Sequence, residues 1–459
     1  MSGTVRDAQN GEDMIGATVY LKEKPSVGAI SNEYGFYSIT TDPGAYTIVY
    51  RFASYNPVEK TVDLQENQKI DVELGSKELE TVEITAERDD ENIRSNEMSV
   101  TKLSPKEVEA IPVLLGEKDI VKTLQLTPGV KPAGEGSSGF YVRGGGADQN
   151  LILLDEAPVY NASHLLGFFS VFNSDALKDV TLYKGGMPAE YGGRASSVMD
   201  IRMKDGNKKR FGISGGIGLI ASRLTLEAPI VKDKGSFIIS GRRTYADLFL
   251  RLSQDSTINQ SILYFYDLNL KANYQIGEKD RVFLSGYFGR DKFGFGETFG
   301  FDWGNTTGTL RWNHLFSDKV FSNTTFIYSD YDYRFDVGTD ESGFGLRSRI
   351  RDFNFKEDIT WFAGEKHTFK FGANAIYHDF LPGEATVRAS GNEVVTSAGD
   401  RYALEAGFYA QDDIKVSSRF GMNLGIRYSL FNNLGPGSAY TFDDQGNLLS
   451  ETTYDDWES

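Results

Sequence analysis

Four histidines are the side chains of this chain best suited to proton transfer or metal binding, and their spacing argues against both. His164 and His314 stand far apart. Only His367 and His378 fall in one strand-like region, and their separation does not suit shared ligation of a metal ion. The chain has no cysteine, which excludes thiol chemistry. We therefore predict no catalytic residues, no metal site and no cofactor.

Two other patterns could bind ions. The run Gly144, Gly145, Gly146 is not followed by Gly-Lys-Ser/Thr, and no long helix opens there, so a phosphate loop is not indicated. The acidic segment 329–341 offers oxygen ligands of the kind that Ca²⁺ prefers. It lacks the fixed spacing of an EF-type loop, and a solvated acidic loop is the better interpretation.

One segment could act through its backbone. Residues 80–86 are rich in Thr, Val and Ile, which favour extended structure, and they lie in a charged, linker-like stretch at 77–100. An isolated extended segment can add a strand to the edge of a partner's sheet. The alternative is a last strand of the preceding domain. The candidate binding residues are Glu80, Thr81, Val82, Glu83, Ile84, Thr85 and Ala86.

Composition favours strands over helix bundles. The chain has 459 residues, 49 glycines and 13% aromatic residues, which indicates two or three domains with many turns. A formal charge of −17 argues against nucleic-acid binding. No apolar run approaches the roughly 20 residues of a spanning helix. A membrane role would therefore fall to strands, whose hydropathy signal is weak.

Three regions precede the longest one. Residues 1–76 alternate short strands with turns and predict a small β-sandwich, and 77–100 reads as a linker. Residues 101–209 predict a mixed α/β unit. Its helices begin at Ser104 and near 118–125, with a short turn or helix at 175–177. Its strands fall at 140–143, 150–154, 180–183 and 197–203.

From 210 to 459 the chain predicts a membrane barrel. In 266–276, 369–377 and 420–430, apolar and polar residues alternate strictly, so that one face could meet lipid and the other a polar lumen. Tight turns fall near 232–234, 277–280, 317–319, 364–366 and 417–419. Longer loops are predicted near 253–261, 294–305, 337–345, 382–400 and after 431. We count about eleven strands.

The phrases LQLTPGVKPAGEGSSGFYVRGGG and DVTLYKGGMPAEYGGRASSVMDI resemble the plug domain of TonB-dependent outer-membrane receptors. PVYNASHLLGFFSVFN and the N-terminal domain, which is similar to the carboxypeptidase regulatory-like (transthyretin-like) domain, point to the Bacteroidetes type. A departure is Lys184-Gly185-Gly186, where many members have Arg-Gly-Pro. The resemblance implies a mostly β fold: sandwich, α/β plug, and the N-terminal half of a 22-stranded antiparallel transmembrane barrel.

The resemblance also implies a function. Such a receptor binds an extracellular nutrient and imports it to the periplasm when TonB, energised at the inner membrane, remodels the plug. The ligand would be an iron chelate, cobalamin, a glycan or a peptide, and a surface lipoprotein is a possible further partner. The chain would lie in the Gram-negative outer membrane, in contact with lipid, with its N-terminal domain and plug base facing the periplasm. Residues 80–86 would be the TonB box.

Site residues follow from the same resemblance. Arg143 precedes three glycines and is expected to anchor the plug to the barrel, with Lys184 and Arg194 in the same role. Ligand contacts are expected from outward plug loops. The alternative is that the leucines and phenylalanines of 165–172 pack in the plug core. The candidate ligand residues are Ser137, Tyr160, Asn161, His164 and Phe168.

A different class of function stays open on the sequence alone. A secreted or surface β-rich adhesion protein, binding carbohydrate and transporting nothing, would explain the sandwich and the aromatics. It would not explain the plug phrases or the alternation of short turns and long loops. A β-barrel hydrolase is disfavoured because no Ser/His/Asp arrangement is evident.

Overall fold

The N-terminal region folds as the predicted β-sandwich. The computed structural model describes residues 1–53, 55–76, 99–103, 117–134, 138–296, 298–339, 341–417 and 420–455. The sandwich strands are β1 (Ser2–Asp7), β2 (Thr18–Leu21), β3 (Gly28–Ile30), β4 (Phe36–Ser38), β5 (Gly44–Arg51), β6 (Val58–Leu64) and β7 (Val72–Leu74). They form sheets in the orders β4-β1-β7 and β3-β2-β5-β6. Alternate side chains such as Val5, Val19 and Ile48 are fully buried between them.

Residues 99–209, here called the central domain, are the predicted mixed unit. Its strands are β8 (Val100–Leu103), β9 (Val130–Pro132), β10 (Phe140–Val142), β11 (Asn150–Leu154), β12 (Ala157–Pro158), β13 (Ser163–His164), β14 (Phe169–Ser170), β15 (Leu177–Tyr183) and β16 (Ser197–Met203). One sheet has the order β12-β11-β16-β15-β8, with β11 and β16 parallel. The pairs β9–β10 and β13–β14 are separate hairpins.

Helical structure in the central domain is short. The predicted helix near 118–125 is α1 (Ile120–Leu124), and Asp119 caps it by accepting the N–H groups of Val121 and Lys122. The predicted turn near 175–177 is a single 3₁₀ turn, Ser174–Ala176, and two more lie at Ala147–Gln149 and Leu165–Gly167. The helix predicted from Ser104, the segment 80–86 and Ser137 lie outside the described residues.

A twelve-stranded antiparallel sheet, here called the wall, follows. Its strands are β17 (Gly212–Ile217), β18 (Ala221–Val231), β19 (Gly235–Thr244), β20 (Ile262–Ile276), β21 (Asp280–Phe295), β22 (Phe299–Ser317), β23 (Val320–Gly338), β24 (Ser342–Phe362), β25 (His367–Ala389), β26 (Asn392–Ser397), β27 (Arg401–Lys415) and β28 (Gly421–Leu434). Eleven pair in chain order, as predicted, and β26 pairs only with β25. Helices α2 (Ala246–Leu250) and α3 (Ser256–Asn259) lie between β19 and β20, and β29 (Gly437–Phe442) pairs with β30 (Leu448–Tyr454).

The predicted alternation of the wall strands is confirmed. In β20, Leu268, Leu270 and Ile276 are 37–54% exposed, whereas Asp267 and Lys271 are at most 6% exposed. In β20 to β23 the polar face is therefore buried against the rest of the chain and the apolar face is open, whereas both faces of β28 are largely exposed. That inversion of the usual soluble pattern suits a sheet whose outer solvent is lipid. None of the described helices is both long and apolar enough to cross a bilayer.

Of the long loops predicted at one end of the wall, the one near 253–261 is confirmed, because residues 245–261 separate β19 from β20. Those near 294–305 and 337–345 are wrong, and 382–400 is mostly strand. Only residues 296–298 separate β21 from β22, and only 339–341 separate β23 from β24. Gly296 and Gly338 have φ values of 58° and 96°, which tight turns need and glycine adopts at least cost. Strands β22 to β25 have 19 to 23 residues, about twice the roughly 9–11 that cross a bilayer. Backbone pairing thus continues these strands beyond the length that crosses a bilayer.

Candidate functional site

His164 lies between the central domain and the wall. Hairpin β13–β14 directs its ring so that Nδ1 is 2.5 Å from Asp291 Oδ2 and Nε2 is 2.6 Å from Asp267 Oδ1. The ring stacks on Phe265 with 4.0 Å between centroids. Burial disfavours the charged ring, but Asp267 and Asp291 outweigh it and raise the pKa of His164 to about 9. At neutral pH the imidazolium therefore joins two wall carboxylates.

Asp267 is the centre of a wider buried network. Arg242 Nη2 lies 2.6 Å from Asp267 Oδ2 and also donates to the Ser170 carbonyl at 2.9 Å. The Tyr287 hydroxyl donates to Asp267 Oδ1 at 2.8 Å. Each charge in this group has an opposite charge and further hydrogen bonds, the condition under which buried ions are tolerated. The network fixes the loop around His164 to strands β19, β20 and β21.

A second buried group holds the other side of the central domain. Lys271 Nζ lies 3.1 Å from both Asp155 Oδ2 and Asp205 Oδ1, and donates to the Met203 carbonyl at 2.8 Å. Arg311 Nη2 lies 2.9 Å from Glu156 Oε1. Asp155 and Glu156 have positive φ values of 46° and 72°, an uncommon backbone for these residues. The strained turn after β11 thus presents both carboxylates to cations of the wall.

Lys271→Met is expected to unseat this part of the central domain. Asp155 and Asp205 would keep their burial but lose a shared cation, and breaking a buried pair from one side costs about 3–5 kcal/mol. Hydrogen exchange should show faster exchange in β11 and β16. Lys292→Met, at an exposed position of the neighbouring strand β21, is the matched control and should leave exchange unchanged. Equal protection of β11 and β16 in both variants would contradict the proposed contribution of Lys271 to holding the central domain on the wall.

The loop above His164 exposes apolar side chains. Leu165 and Leu166 have φ values of 48° and 57°, which cost branched residues energy unless the surroundings enforce them. The Leu165 N–H donates to Asp291 Oδ1 at 2.8 Å, and Trp303 Nε1 donates to the Ser163 carbonyl at 3.1 Å. With its base held in this way, the loop leaves Leu166 60% and Phe168 55% exposed.

Comparison with known proteins identifies the central domain. The family model described as the TonB-dependent Receptor Plug Domain matches residues 92–198. This chain carries a TonB-dependent receptor plug. A CarboxypepD_reg-like domain model matches residues 1–85, which include the sandwich. From here the central domain is called the plug.

Solved structures of outer-membrane transporters share the fold. The copper transporter OprC is 14% identical, with a TM-score of 0.58 over 78% of this chain and 58% of that chain. The outer-membrane transporter YddB from Escherichia coli is 16% identical, with a TM-score of 0.54 over 73% of this chain and 56% of that chain. BauA, the ferric preacinetobactin receptor from Acinetobacter baumannii, is 14% identical, with a TM-score of 0.52 over 73% of this chain and 57% of that chain. The chain thus spans less than two thirds of each. No curated protein matches the chain.

The residues predicted to anchor the plug make local contacts in the structure. Arg143 Nη2 donates to Ser99 Oγ at 2.8 Å, and Lys184 Nζ donates to the Pro128 carbonyl at 2.9 Å, so both contacts are within the plug. Arg194 donates to the Gly193 carbonyl at 2.8 Å and lines a cavity that Glu405 also lines. A role of these three in holding the plug to the barrel stays a prediction.

Sequence reasoning missed Asp155, Glu156 and Asp205, whose carboxylates also pair with cations of the wall. A signal was present. LILLDEAP places two carboxylates directly after a buried strand, where an unpaired charge would be costly. The alternation in 266–276 also predicts Lys271 on the polar face of its strand. Pairing the two observations requires the fold, because they are over 100 positions apart in sequence.

The predicted ligand residues divide into two groups. Tyr160 donates its hydroxyl to Asp352, and the Asn161 carbonyl accepts from Asn305 Nδ2 at 2.8 Å. Asn161 Nδ2 also donates to the Tyr331 hydroxyl at 3.3 Å, so the side chains of Tyr160, Asn161 and His164 all contact the wall. Phe168 is open to solvent. A ligand role for Tyr160, Asn161, His164 and Phe168 stays a prediction, and the geometry favours Phe168 among them.

A polar cavity of about 110 Å³ separates the plug from strands β24, β25, β27 and β28. Charged groups of both signs line it, including Glu156 and Arg194 from the plug and Lys356, Glu405 and Arg427 from the wall. His378 Nδ1 lies 2.7 Å from Asp352 Oδ1 at one side. Within the described residues, no group of three or more histidine or acidic side chains is placed to hold a metal ion. The cavity suits water and polar solutes.

Proposed function

We propose that this chain belongs to an outer-membrane receptor that binds an extracellular nutrient and imports it to the periplasm by TonB-driven remodelling of the plug. The observation that carries the proposal is the seating of a plug against the polar face of a long antiparallel sheet whose other face is apolar. A soluble adhesion protein would need neither an apolar outer face nor buried ion pairs across a plug. The proposed location is the Gram-negative outer membrane.

The ligand is proposed to bind at the end of the wall where the strands run beyond the bilayer. Leu166 and Phe168 project there from the plug. Trp303, which contacts this loop, packs at a tilt on Phe301 with 4.6 Å between ring centroids. Phe299, Tyr333 and Phe335 continue the aromatic group along β22 and β23. Flat apolar surfaces next to hydrogen-bonding groups suit stacking against a ligand.

The identity of the nutrient is left open among iron chelates, cobalamin, glycans and peptides. The solved neighbours include a copper transporter and a ferric preacinetobactin receptor. One architecture therefore serves different ligands, and fold alone does not choose between them.

Energy is proposed to enter through residues 80–86. An extended TonB box would pair as a strand with the periplasmic protein TonB, and force from the energised inner membrane would then rearrange the plug. The work is conformational and includes no covalent step. Lipid surrounds the apolar face of the wall, and a surface lipoprotein is a further proposed partner.

Cell fractionation and a binding screen test the proposal. The receptor should be recovered with the outer membrane, should need detergent for extraction and should show a heat-dependent shift on a gel. Labelled ferric chelates, cobalamin, oligosaccharides and peptides should include one that binds and that cells import only while the proton gradient is intact. Recovery in the soluble fraction without a heat shift would overturn the proposal in favour of an adhesion protein.

A further inference from the structure

The sandwich sends one tight turn into the wall. Asn32 Oδ1 accepts the N–H groups of Tyr34 at 2.9 Å and Phe36 at 3.0 Å, a turn in which a side chain replaces a backbone acceptor. Gly35 has a φ of 69°, and a Cβ there would lie 2.6 Å from the Val5 carbonyl oxygen. The turn is therefore shaped within the sandwich, and it points Glu33 and Tyr34 away from the sandwich core.

Tyr34 enters a socket on the polar face of the wall. Its ring lies 5.6 Å from Phe283 and 5.3 Å from Phe321 between centroids, and its hydroxyl donates to Asn323 Oδ1 at 3.1 Å. The residue is 7% exposed. Phe36 adds contacts of 6.0 Å with Phe321 and 5.9 Å with Phe362. A surface turn of one domain is thus buried in another.

Glu33 lines the cavity between the plug and the wall. It lies 2.6 Å from Arg202 of plug strand β16. It lines both the polar cavity of about 110 Å³ and a neighbouring one of about 20 Å³, which Tyr34, Lys271 and Arg311 also line. The turn therefore stands where this cavity would otherwise continue toward the sandwich side.

The sandwich contacts the wall at several further positions. Ser2 Oγ donates to Asp318 Oδ1 at 3.1 Å in the β22–β23 turn, and Lys415 at the end of β27 donates to the Gly28 carbonyl. Asp13 pairs with Arg281 of β21 and with Lys208, whose Nζ is 3.4 Å away. Arg281, Asp318 and Lys415 lie at the same end of the strands. In the proposed orientation, with the N-terminal domain facing the periplasm, this is the periplasmic end.

We propose that the sandwich is a stopper: its Asn32–Phe36 turn closes the periplasmic end of the cavity between plug and wall, and it must be displaced before a solute can leave. The inference rests on the proposed transport function for its purpose. The closure itself is a property of the resting receptor, and it can be measured without a ligand.

Thiol labelling of the purified full-length receptor in detergent tests the closure. These 459 residues contain no cysteine, and labelling of the receptor without an introduced cysteine is subtracted as background. Thr325→Cys lies two positions beyond Asn323 on the same strand face, and Thr325 is fully buried. With a bulky water-soluble maleimide as the probe, this cysteine should react slowly. Adding Glu33→Ala and Tyr34→Ala should speed its labelling roughly tenfold or more. Without these two side chains, the thiol can become exposed without first displacing the Asn32–Phe36 turn from the wall.

Asn305→Cys is the matched control. Asn305 is 3% exposed on the polar face of β22, near the other end of the plug, and its labelling should not change with the stopper variant. Glu33 and Tyr34 are not part of the sandwich core, so that domain should still fold. An unchanged rate at Thr325→Cys, or an equal increase at both cysteines, would overturn the inference. A receptor that imports nothing would contradict the proposed function and leave the labelling result intact.

Discussion

Val82→Pro should abolish nutrient uptake and leave ligand binding at the wild-type level. Proline has no N–H to give to a ladder and is excluded from paired interior positions of strands. Residue 82 lies inside the segment 80–86 proposed to pair with TonB, so the pairing would fail while the ligand side of the plug is untouched. The measurements are binding and energised import of the labelled compound that wild-type cells accumulate.

Ser95→Pro is the matched control for this variant. It places the same residue type in the same linker-like stretch but outside 80–86, and uptake should persist. Phe168→Ala should give the complementary result, weaker ligand binding with an intact TonB segment, because it removes an exposed aromatic surface at the proposed ligand end. Normal uptake by Val82→Pro, or equal loss with Ser95→Pro, would remove the assignment of 80–86.

His164→Leu should release the plug loop 159–172, which contains His164, from the wall. The substitution leaves Asp291 without its charged partner in a buried site, and removing one member of a buried pair costs about 3–5 kcal/mol. Hydrogen exchange in 159–172 should become faster, and ligand affinity should fall as the loop loses its fixed shape. His367→Leu is the control: its pair with Asp412 has a histidine side chain 45% exposed, and exposed pairs contribute about 0–1 kcal/mol.

The same contact predicts a pH dependence with a definite sign. The pKa of His164 is raised from 6.5 to about 9, since Asp267 and Asp291 outweigh the cost of burial. A raised pKa stabilises the folded state fully below about pH 6.5, and the contribution disappears as pH rises through about 9. Protection of the loop should fall over that window in the wild type and stay flat in His164→Leu. A flat wild-type profile would contradict a charged His164.

Much of the wall was predictable because its two faces have different solvents. The alternation in 266–276 assigned Asp267, Lys271 and Asn273 to the polar side, and all three are buried against or beside the plug. A period of two is a local property of a strand, so no knowledge of distant partners was needed. The sandwich was predictable for the same reason, since turn residues and short strands alternate along 1–76.

The ends of the wall strands were not predictable in this way. Segments such as 294–305 and 382–400 are rich in glycine and polar residues, and neither face of a strand outside a bilayer must be apolar. The contacts of the plug were equally hidden. His164 meets Asp267 and Asp291 across 103 and 127 positions, and no local pattern encodes such a pair. Ring chemistry suggested a ligand contact, whereas the fold places the ring in a buried ion pair.

The position of β8 has a mechanical consequence. This strand is the outermost of the plug sheet, and four residue pairs join it to β15. It is also the first described strand after the linker, so tension applied at 80–86 reaches the plug through it. Backbone hydrogen bonds lie across strands, and a force along β8 loads all of them together, whereas a sideways force breaks them in turn. The direction of pull therefore decides whether the plug resists as a unit or peels from this edge.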